Sequence, residues 1–291
     1  MAETRKIDAV TTEIIRNGMV AATEEMKSNL MRTAYNMIIY EALDFTVGIF
    51  DRAGNTVSIG IGLPMFIRGM SNTVKRMIAH FGYDQIEDGD VLLTNDAYIT
   101  GSHLNHMTFV VPVFFEGEIV GFSACMAHWQ DIGGTLDGMT FDIFSEGLQM
   151  PIVKIYRKGV PNAEIFQIIE INVRIPERAM GDLRAQIAAV KTGERRVLEM
   201  LHKYGHDTVV QAMRAGAVDF FVKPASPERI AISIRNALKL SDLRGEVKRL
   251  TKKNEGRMGF DDMIAGAPLM RQVVAGKMML LGEDHLDLSA P

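Results

Sequence analysis

Apolar residues recur at helical spacing in three parts of the chain. Between residues 9 and 36 they predict one long amphipathic helix. Its apolar positions are Ile14, Ile15, Met19, Met26, Leu30 and Met31. A second helix is predicted from Pro64 to Phe81, and a third from about Glu177 to Tyr204. The segments between these helices contain β-rich runs that are typical of strands.

Two hairpins are predicted between the helices. The stretch FTVGIFDRAGNTVSIG contains two β-rich runs around the turn residues Asp51 to Asn55. The run from Met107 to Ala127 turns around the residues Glu116, Gly117 and Glu118. A short strand, VLLTND, precedes the second hairpin, and the glycine-rich QDIGGTLDGM after it is predicted to be a loop. Together these elements predict an α+β fold with a mixed sheet and long helices.

The pattern changes after Gly205. The next segment has the pattern of a helix, a short buried strand, a proline turn and another helix. A 3-4-3 spacing then indicates a short coiled-coil seam formed by Leu240, Leu243, Val247 and Leu250. The last part of the chain has no strong period. We therefore divide the chain into a first domain (1–206), a second segment (207–239), a helical linker (240–255) and a loosely structured tail (256–291).

Composition excludes several classes of protein. The chain has 291 residues, of which 47% are hydrophobic, with a net charge of -4, so its overall charge gives no reason to expect binding to nucleic acid. Its single cysteine, Cys125, cannot form an internal disulfide, which is typical of a reducing compartment. The first residues lack the apolar core of a secretory signal, and no apolar run is long enough to span a membrane. We therefore expect a cytoplasmic protein.

Three of the seven histidines flank the second predicted hairpin. His103 and His106 precede its first strand, and His128 ends its second. A two-residue turn would pair Asn105 with His128 and direct His106 to the other face of the sheet. A three-residue turn would place His106 directly opposite His128. Both turn lengths are common, so the spacing alone leaves the two registers open.

In the second register the imidazoles cluster at one open end of the hairpin, beside polar loops that contain Asp96 and Asp131. Imidazole nitrogens bind Zn, Mn and Fe, and nearby carboxylates favour the harder ions. Three protein ligands with one open position are typical of a catalytic metal site. The alternative is a set of ordinary strand-end histidines that bond to backbone or water, because H-x-x-H in a loop is not a specific motif.

Several blocks, in order, resemble the hydantoinase B/oxoprolinase family. They include LDFTVGIFDRAGNTVSIG, GDVLLTNDAYITGSHLNH, AHWQDIGG and RAMGDLRAQIAAVKTGERRVLEML, and the resemblance runs through about residues 7–205. It implies a subunit or fragment of an ATP-dependent enzyme that opens cyclic amides. The same family includes subunits of ketone carboxylases, which gives an alternative reaction. The resemblance also implies a hydantoinase A-type partner subunit, through which ATP would act.

The resemblance also implies roles for particular residues. In the metal-binding members, a G-[ST]-H-L-x-D motif followed by A-H-x-x-D-[IV]-G-G supplies the ligands. His103 and His128 match ligand histidines, and His106 stands where the family often has Asp. We assign these three residues to a divalent metal, either Mn, Zn or Fe. Asp131 matches the acid of the second motif and is a candidate to orient an imidazole. Three residues match an N-D-x-Y block: Asn95, Asp96 and Tyr98. Asp96 and Asp131 are the candidate catalytic residues.

The remainder of the chain departs from this family. The resemblance covers less than half of a typical member, which suggests a truncated form. Residues from about 207 to 275 resemble part of a response regulator that activates alternative-sigma-factor transcription: the end of its receiver domain, a linker and the start of an AAA+ domain. Lys223 would be the receiver's switch lysine. Two further hypotheses follow: a regulatory protein that forms a homodimer through residues 240–250, and an inactive fusion of two fragments.

Overall fold

A computed structural model describes residues 9–63, 67–135 and 140–214. Lys223, the seam at 240–250 and the segments 240–255 and 256–291 lie outside the described residues, as does most of 207–239. The helices are α1 (Ala9–Thr33), α2 (Met37–Tyr40), α3 (Ile67–Phe81), α4 (Ala97–Thr100), α5 (Ile143–Glu146), α6 (Ala163–Asn172), α7 (Pro176–Tyr204) and α8 (His206–Arg214). The strands are β1 (Phe45–Asp51), β2 (Thr56–Ile61), β3 (Val91–Thr94), β4 (His106–Phe115), β5 (Glu118–His128), β6 (Val153–Arg157) and β7 (Val160–Pro161).

The described strands form one antiparallel sheet of seven strands in the order β2-β1-β5-β4-β3-β6-β7. With the helices packed on it, the fold is α+β, which confirms the predicted class, but the described strand pairs are all antiparallel where a mixed sheet was expected. The three long helices and the two hairpins lie where the hydrophobic pattern places them, within a few residues. The sequence analysis missed the β6–β7 hairpin and α6. β7 has only two residues and lies at the sheet edge, so it carries almost no periodic pattern.

Helices cover both faces of the sheet. On one face, odd-numbered residues of the central strands, such as Phe109 and Cys125, join the core formed with α1 and α7. On the other face, even-numbered residues such as Val110 and Ala124 join the core formed with α3. Both faces of β4 and β5 are therefore buried, and their side chains read as continuous apolar runs. Burial raises the pKa of Cys125 to about 12, although the hydrogen bond from Gln186 acts in the opposite direction. A thiol with so high a pKa is inert.

The turn of the central hairpin contains two residues, Glu116 and Gly117, both with positive φ (51° and 84°). This twist suits a tight hairpin, and glycine adopts it without strain. Near the turn, Phe114 pairs with Ile119, but a bulge follows, and Val113 pairs with Gly121. The bulge shifts the register by one residue for the rest of the hairpin. The structure therefore combines the two-residue turn with the register expected of the three-residue turn.

Helix α8 belongs to the same compact unit, which extends from Met1 to Ala217. Its Val209 and Met213 are buried in the core with α1 and α7. Residues 207–214, which the sequence analysis grouped with the response-regulator-like segment, therefore pack on the first domain. No helix in the described part of the chain is both long and apolar enough to cross a lipid bilayer.

Candidate metal centre

The register of the central hairpin brings the three histidines together. His106 begins β4 and pairs directly with His128, the last residue of β5. His103 lies in the loop between α4 and β4, and its ring approaches both of the others. The ring centroids are 4.5 Å apart for His103 and His106, 4.9 Å for His103 and His128, and 5.1 Å for His106 and His128. We call these residues the histidine cluster.

Asp44 completes this cluster, and the sequence analysis missed it. Asp44 is the residue immediately before β1. Phe45, the first residue of β1, pairs with Ala127 of the antiparallel strand β5, so Asp44 lies opposite the next residue of β5, His128. Its Oδ1 is 3.1 Å from Nε2 of His106, and its backbone oxygen accepts the N–H of His128 at 3.0 Å. The signal that could have found it is a polar residue at the start of an apolar strand, the same feature that His106 shows in its own strand.

Both nitrogens of the His106 ring are engaged. Nε2 contacts Asp44, and Nδ1 is 2.8 Å from the hydroxyl oxygen of Ser102. Burial lowers the pKa of His106, although the bond to Asp44 acts in the opposite direction. A lowered pKa keeps the imidazole neutral at physiological pH, which is the form that binds metals.

His128 has an unsatisfied nitrogen. Its Nδ1 is buried and, within the described residues, has no hydrogen-bond partner. A buried polar atom without a partner costs about 1–3 kcal/mol. Burial, followed by repulsion from His106 and His103, lowers the pKa of His128 to about 4, so the ring is neutral and its lone pair is available. A buried imidazole nitrogen of this kind is available to bind a metal ion.

The donor set therefore fits a divalent transition metal: three imidazoles and one carboxylate within a few ångströms. The present side-chain positions are not yet those of a formed site. Within the described residues, no group of three or more His, Cys, Asp or Glu side chains is arranged to hold a metal ion. The ring nitrogens of His106 contact Ser102 and Asp44 instead. Binding would require Asp44 or His106 to exchange its present partner for the ion.

The carboxylate of Asp131 serves another structure. It pairs with the guanidinium of Arg174 at 2.8 Å and accepts backbone N–H groups from Gly133, Arg174 and Ile175. Burial alone would raise the pKa of Asp131, but these hydrogen bonds outweigh it and lower the pKa below its usual value. The carboxylate thereby joins the loop after β5 to the start of α7. The expected contact with an imidazole is replaced by this ion pair.

The N-D-x-Y residues support the loop that carries His103. The Asn95 side chain is buried, and its amide donates to the oxygens of Leu104 (2.7 Å) and Leu148 (2.8 Å) while its oxygen accepts from Met150 N–H. Asp96 caps α4 by accepting the N–H of Tyr98 at 2.9 Å. Tyr98 itself is 85% exposed. Asn95 and Asp96 thus hold the backbone of this region in place through their side chains.

The described residues also line a cleft of about 160 Å³ between Trp129 and the start of α7, which includes Asp131 and Asp182. The indole of Trp129 bonds to Gln186, so this side chain packs toward α7.

Comparisons with known proteins agree with this architecture. Residues 8–217 match the family described as Hydantoinase B/oxoprolinase. Caprolactamase subunit beta of Pseudomonas jessenii is 32% identical over 207 residues, which are 70% of this chain and 36% of that protein. 5-Oxoprolinase 1 of Arabidopsis thaliana is 32% identical over 223 residues, which are 71% of this chain and 18% of that protein. The chain thus spans little more than a third of the first relative and less than a fifth of the second.

Solved structures give the same result. The crystal structure of ATP-dependent caprolactamase from Pseudomonas jessenii matches with a TM-score of 0.66 and 30% identity, covering 72% of this chain and 37% of that chain. The nucleotide-free structure of acetone carboxylase matches with a TM-score of 0.66 at 18% identity, covering 73% of this chain and 29% of that chain. At that identity the second likeness shows the fold alone.

Proposed function

The chain belongs to the hydantoinase B/oxoprolinase family, and on that premise we propose that it is the B-type part of an ATP-dependent hydrolase of cyclic amides. The proposal includes a divalent metal at the histidine cluster and a hydantoinase A-type partner through which ATP acts. It rests on one observation above all. Three imidazoles, one of them with an unpaired buried Nδ1, meet beside a carboxylate at the open end of the central hairpin.

His103 and His128 are the proposed ligands from the imidazole side, with either Asp44 or His106 as the third. Mn, Zn and Fe all suit such a mixed nitrogen and oxygen set. When bound, the ion would polarise the amide carbonyl or lower the pKa of an attacking water. His106 also positions Asp44, because the contact between its Nε2 and the Asp44 carboxylate holds that carboxylate beside the cluster. The hydroxyl of Ser102 in turn fixes the orientation of the His106 ring.

For Asp96 and Asp131 we propose positioning roles in place of direct catalysis. Asp96 orders α4, which leads into the loop of His103, and Asp131 fixes the loop that follows His128. Both act on backbone next to a proposed ligand. The carboxylate of Asp131 already accepts four hydrogen bonds and therefore has little capacity left to take a proton from a substrate.

The substrate class is inferred from relatives. Two of them, caprolactamase and 5-oxoprolinase, are named as enzymes of lactams, so a cyclic amide is the favoured substrate for this chain. Carboxylation of a ketone is the second candidate, and its support is the shared fold of acetone carboxylase. Because this chain spans only part of each relative, substrate, ATP use and partner are all proposed for it by analogy.

The test is ATP-dependent turnover in the presence of the partner. The full chain is co-expressed with an A-type subunit of the family and supplied with Zn²⁺, Mn²⁺ or Fe²⁺. Ring opening of caprolactam, 5-oxoproline and hydantoin is followed with and without ATP. We expect turnover of at least one substrate, and its loss in His103→Ala and His128→Ala. The matched control is His80→Ala, an exposed histidine on α3. Absence of ATP-dependent turnover with all three substrates and all three metals would overturn the proposal, and turnover of acetone with bicarbonate would favour the second candidate.

A further inference from the structure

The connection between α1 and β1 forms hydrogen bonds with both backbone polar groups of His128. At one end of this connection, the side-chain amide of Asn36 donates to the backbone oxygen of His128 at 2.8 Å. At the other end, the backbone oxygen of Asp44 accepts the N–H of His128 at 3.0 Å. Both polar backbone groups of His128 are therefore held by residues 36–44, although these lie far from it in sequence.

Asn36 is itself held firmly. It is buried, and its side-chain oxygen accepts the N–H of Ile38, which caps α2. The backbone N–H groups of Asn36 and Tyr35 both donate to Oδ1 of Asp182 on α7, at 3.2 and 2.7 Å. A line of hydrogen bonds thus runs from α7 through Asn36 to His128. The side-chain amide of Asn36 has one orientation that satisfies its partners, since its oxygen and nitrogen have different tasks.

The other end of the connection is strained. Leu43 has a φ of 57°, a left-handed conformation that a branched residue rarely adopts. Its neighbour Asp44 contacts His106 in the histidine cluster. Gly62 packs against this point so closely that a Cβ there would lie 2.2 Å from the oxygen of Leu43. Strain of this kind persists where the surrounding structure enforces it, and it is concentrated at functional sites.

We propose that Asn36, supported by Asp182, is the positioning residue of the histidine cluster. It fixes the end of β5 so that the unpaired Nδ1 of His128 keeps a single direction next to His103. This inference rests on the proposed function insofar as the fixed imidazole serves as a metal ligand. The effect on the ring itself does not depend on the metal. Asn36 acts through His128 and does not touch the ion.

Asn36 also caps a helix, so the test must separate the two tasks. Asn36→Ser retains a cap oxygen for Ile38, since serine and asparagine cap helices about equally well, but its shorter side chain cannot reach the oxygen of His128. Asn162→Ser is the matched control, because Asn162 caps α6 through its Oδ1. Asn36→Thr is a second variant that keeps a cap oxygen and fills more of the space.

Two readouts are made on the full chain. The first is Zn²⁺ affinity, measured by competition with a chromophoric chelator. We expect Asn36→Ser to weaken it about 10- to 100-fold, as loss of a supporting contact does in metal sites, and Asn162→Ser to leave it unchanged. The second is the Cε1–Hε1 NMR resonance of His128 in metal-free protein with labelled histidine. We expect it to move in Asn36→Ser and Asn36→Thr only.

The outcomes separate the two proposals. If the wild-type chain binds no Zn²⁺ but the His128 resonance moves in the Asn36 variants, the metal site fails and the positioning role stands. If the wild type binds Zn²⁺ and a folded Asn36→Ser keeps both its affinity and its His128 resonance, the positioning role is overturned. Should Asn36→Ser not fold, Asn36→Thr decides by the same two measurements, and an unchanged resonance there also overturns the role.

Discussion

His128 and Asp131 are three residues apart in the chain, and the sequence motif joins them, yet their surroundings differ. His128 is largely buried, and its Nδ1 has no partner among the described residues. Asp131 lies where the loop after β5 meets α7, and its two oxygens accept four hydrogen bonds from backbone and Arg174. The environment lowers the pKa of both groups, but for opposite physical reasons: loss of water for the imidazole and gain of donors for the carboxylate.

This difference separates a group that remains available from one that is already used. A polar side chain whose bonds are all made within the fold stabilises that fold and has little capacity left for a ligand. A buried polar atom without a partner costs free energy that the fold has not recovered, and a ligand can recover it. We therefore propose that the histidine cluster binds the metal and that Asp131 mainly stabilises the fold. The following predictions test that division.

The largest effect should be loss of metal. We expect the purified chain to hold close to one equivalent of a divalent metal, and His103→Ala and His128→Ala to weaken binding by more than about 100-fold, beyond the cost of losing a supporting contact. Asp131→Asn, which removes a support of the loop after His128 and no proposed ligand, should weaken binding far less. Elemental analysis after dialysis measures this directly. If both histidine variants retain the metal, or if Asp131→Asn loses it equally, the proposed division between the histidine cluster and Asp131 is wrong.

The second effect concerns the backbone beside Asp44. Gly62→Ala places a Cβ against the oxygens of Leu43 and Phe45, and we expect a loss of about 1–3 kcal/mol in the free energy of unfolding. Gly18→Ala in α1 is the control. There the nearest atom is the Sδ of Met200 at 2.7 Å, the flexible end of a side chain, so the substitution should be neutral or stabilise by up to ~1 kcal/mol. Denaturant unfolding compares the two variants, and equal stabilities would contradict the expectation.

A smaller effect is expected at the ion pair. Asp131→Asn removes the charge that Arg174 and three N–H groups share, and we expect a loss of about 1–2 kcal/mol of stability, because hydrogen bonds to charged groups exceed neutral ones by about that amount. Glu199→Gln removes an exposed carboxylate from its pairs with Arg195 and Arg196 and should cost at most about 0.5 kcal/mol. The measurement is again denaturant unfolding at neutral pH. A larger loss in Glu199→Gln would assign the stabilisation to surface pairs instead.

The smallest effect is a dependence on pH. The pKa of Asp131 is lower in the folded chain than in the unfolded chain, where aspartate titrates near ~3.9. As the pH falls, the Asp131 carboxylate is therefore protonated first in the unfolded state. The stability that this carboxylate contributes above its unfolded pKa is lost as the pH drops through its folded pKa. The gap in stability between the wild type and Asp131→Asn should thus narrow between pH 6 and pH 3. A gap that stays constant or widens would show that the charge of Asp131 does not contribute.

Much of the fold could be predicted from the sequence because it is encoded locally. Helices α1 and α7 contain 25 and 29 residues, so their apolar positions recur over many turns. The strands of the central hairpin are apolar on both faces, and a turn with glycine divides them. Short elements such as α2, α5 and β7 contain too few residues to show a period. Their positions depend on contacts with the rest of the chain.

Less of the candidate site could be predicted. Histidine spacing identified His103, His106 and His128, but their meeting depends on one bulge between Val113 and Phe114. A bulge is set by packing on both faces of the sheet, which no local pattern in these strands records. Asp44 was missed because its partner lies in another strand, and Asp131 was linked to an imidazole because motif proximity was taken for contact.

The sequence by itself determined the α+β class, the long helices, the central hairpin and the residue types available for metal chemistry, since each depends on a periodic pattern or on a local motif. Only the tertiary structure decided which of those residues meet. The pairing of His106 with His128, the arrival of Asp44 and the support from Asn36 and Asp182 all join segments distant in the chain. Such contacts follow from strand register and helix packing, and a one-residue shift in register would move the imidazoles to opposite faces of the sheet.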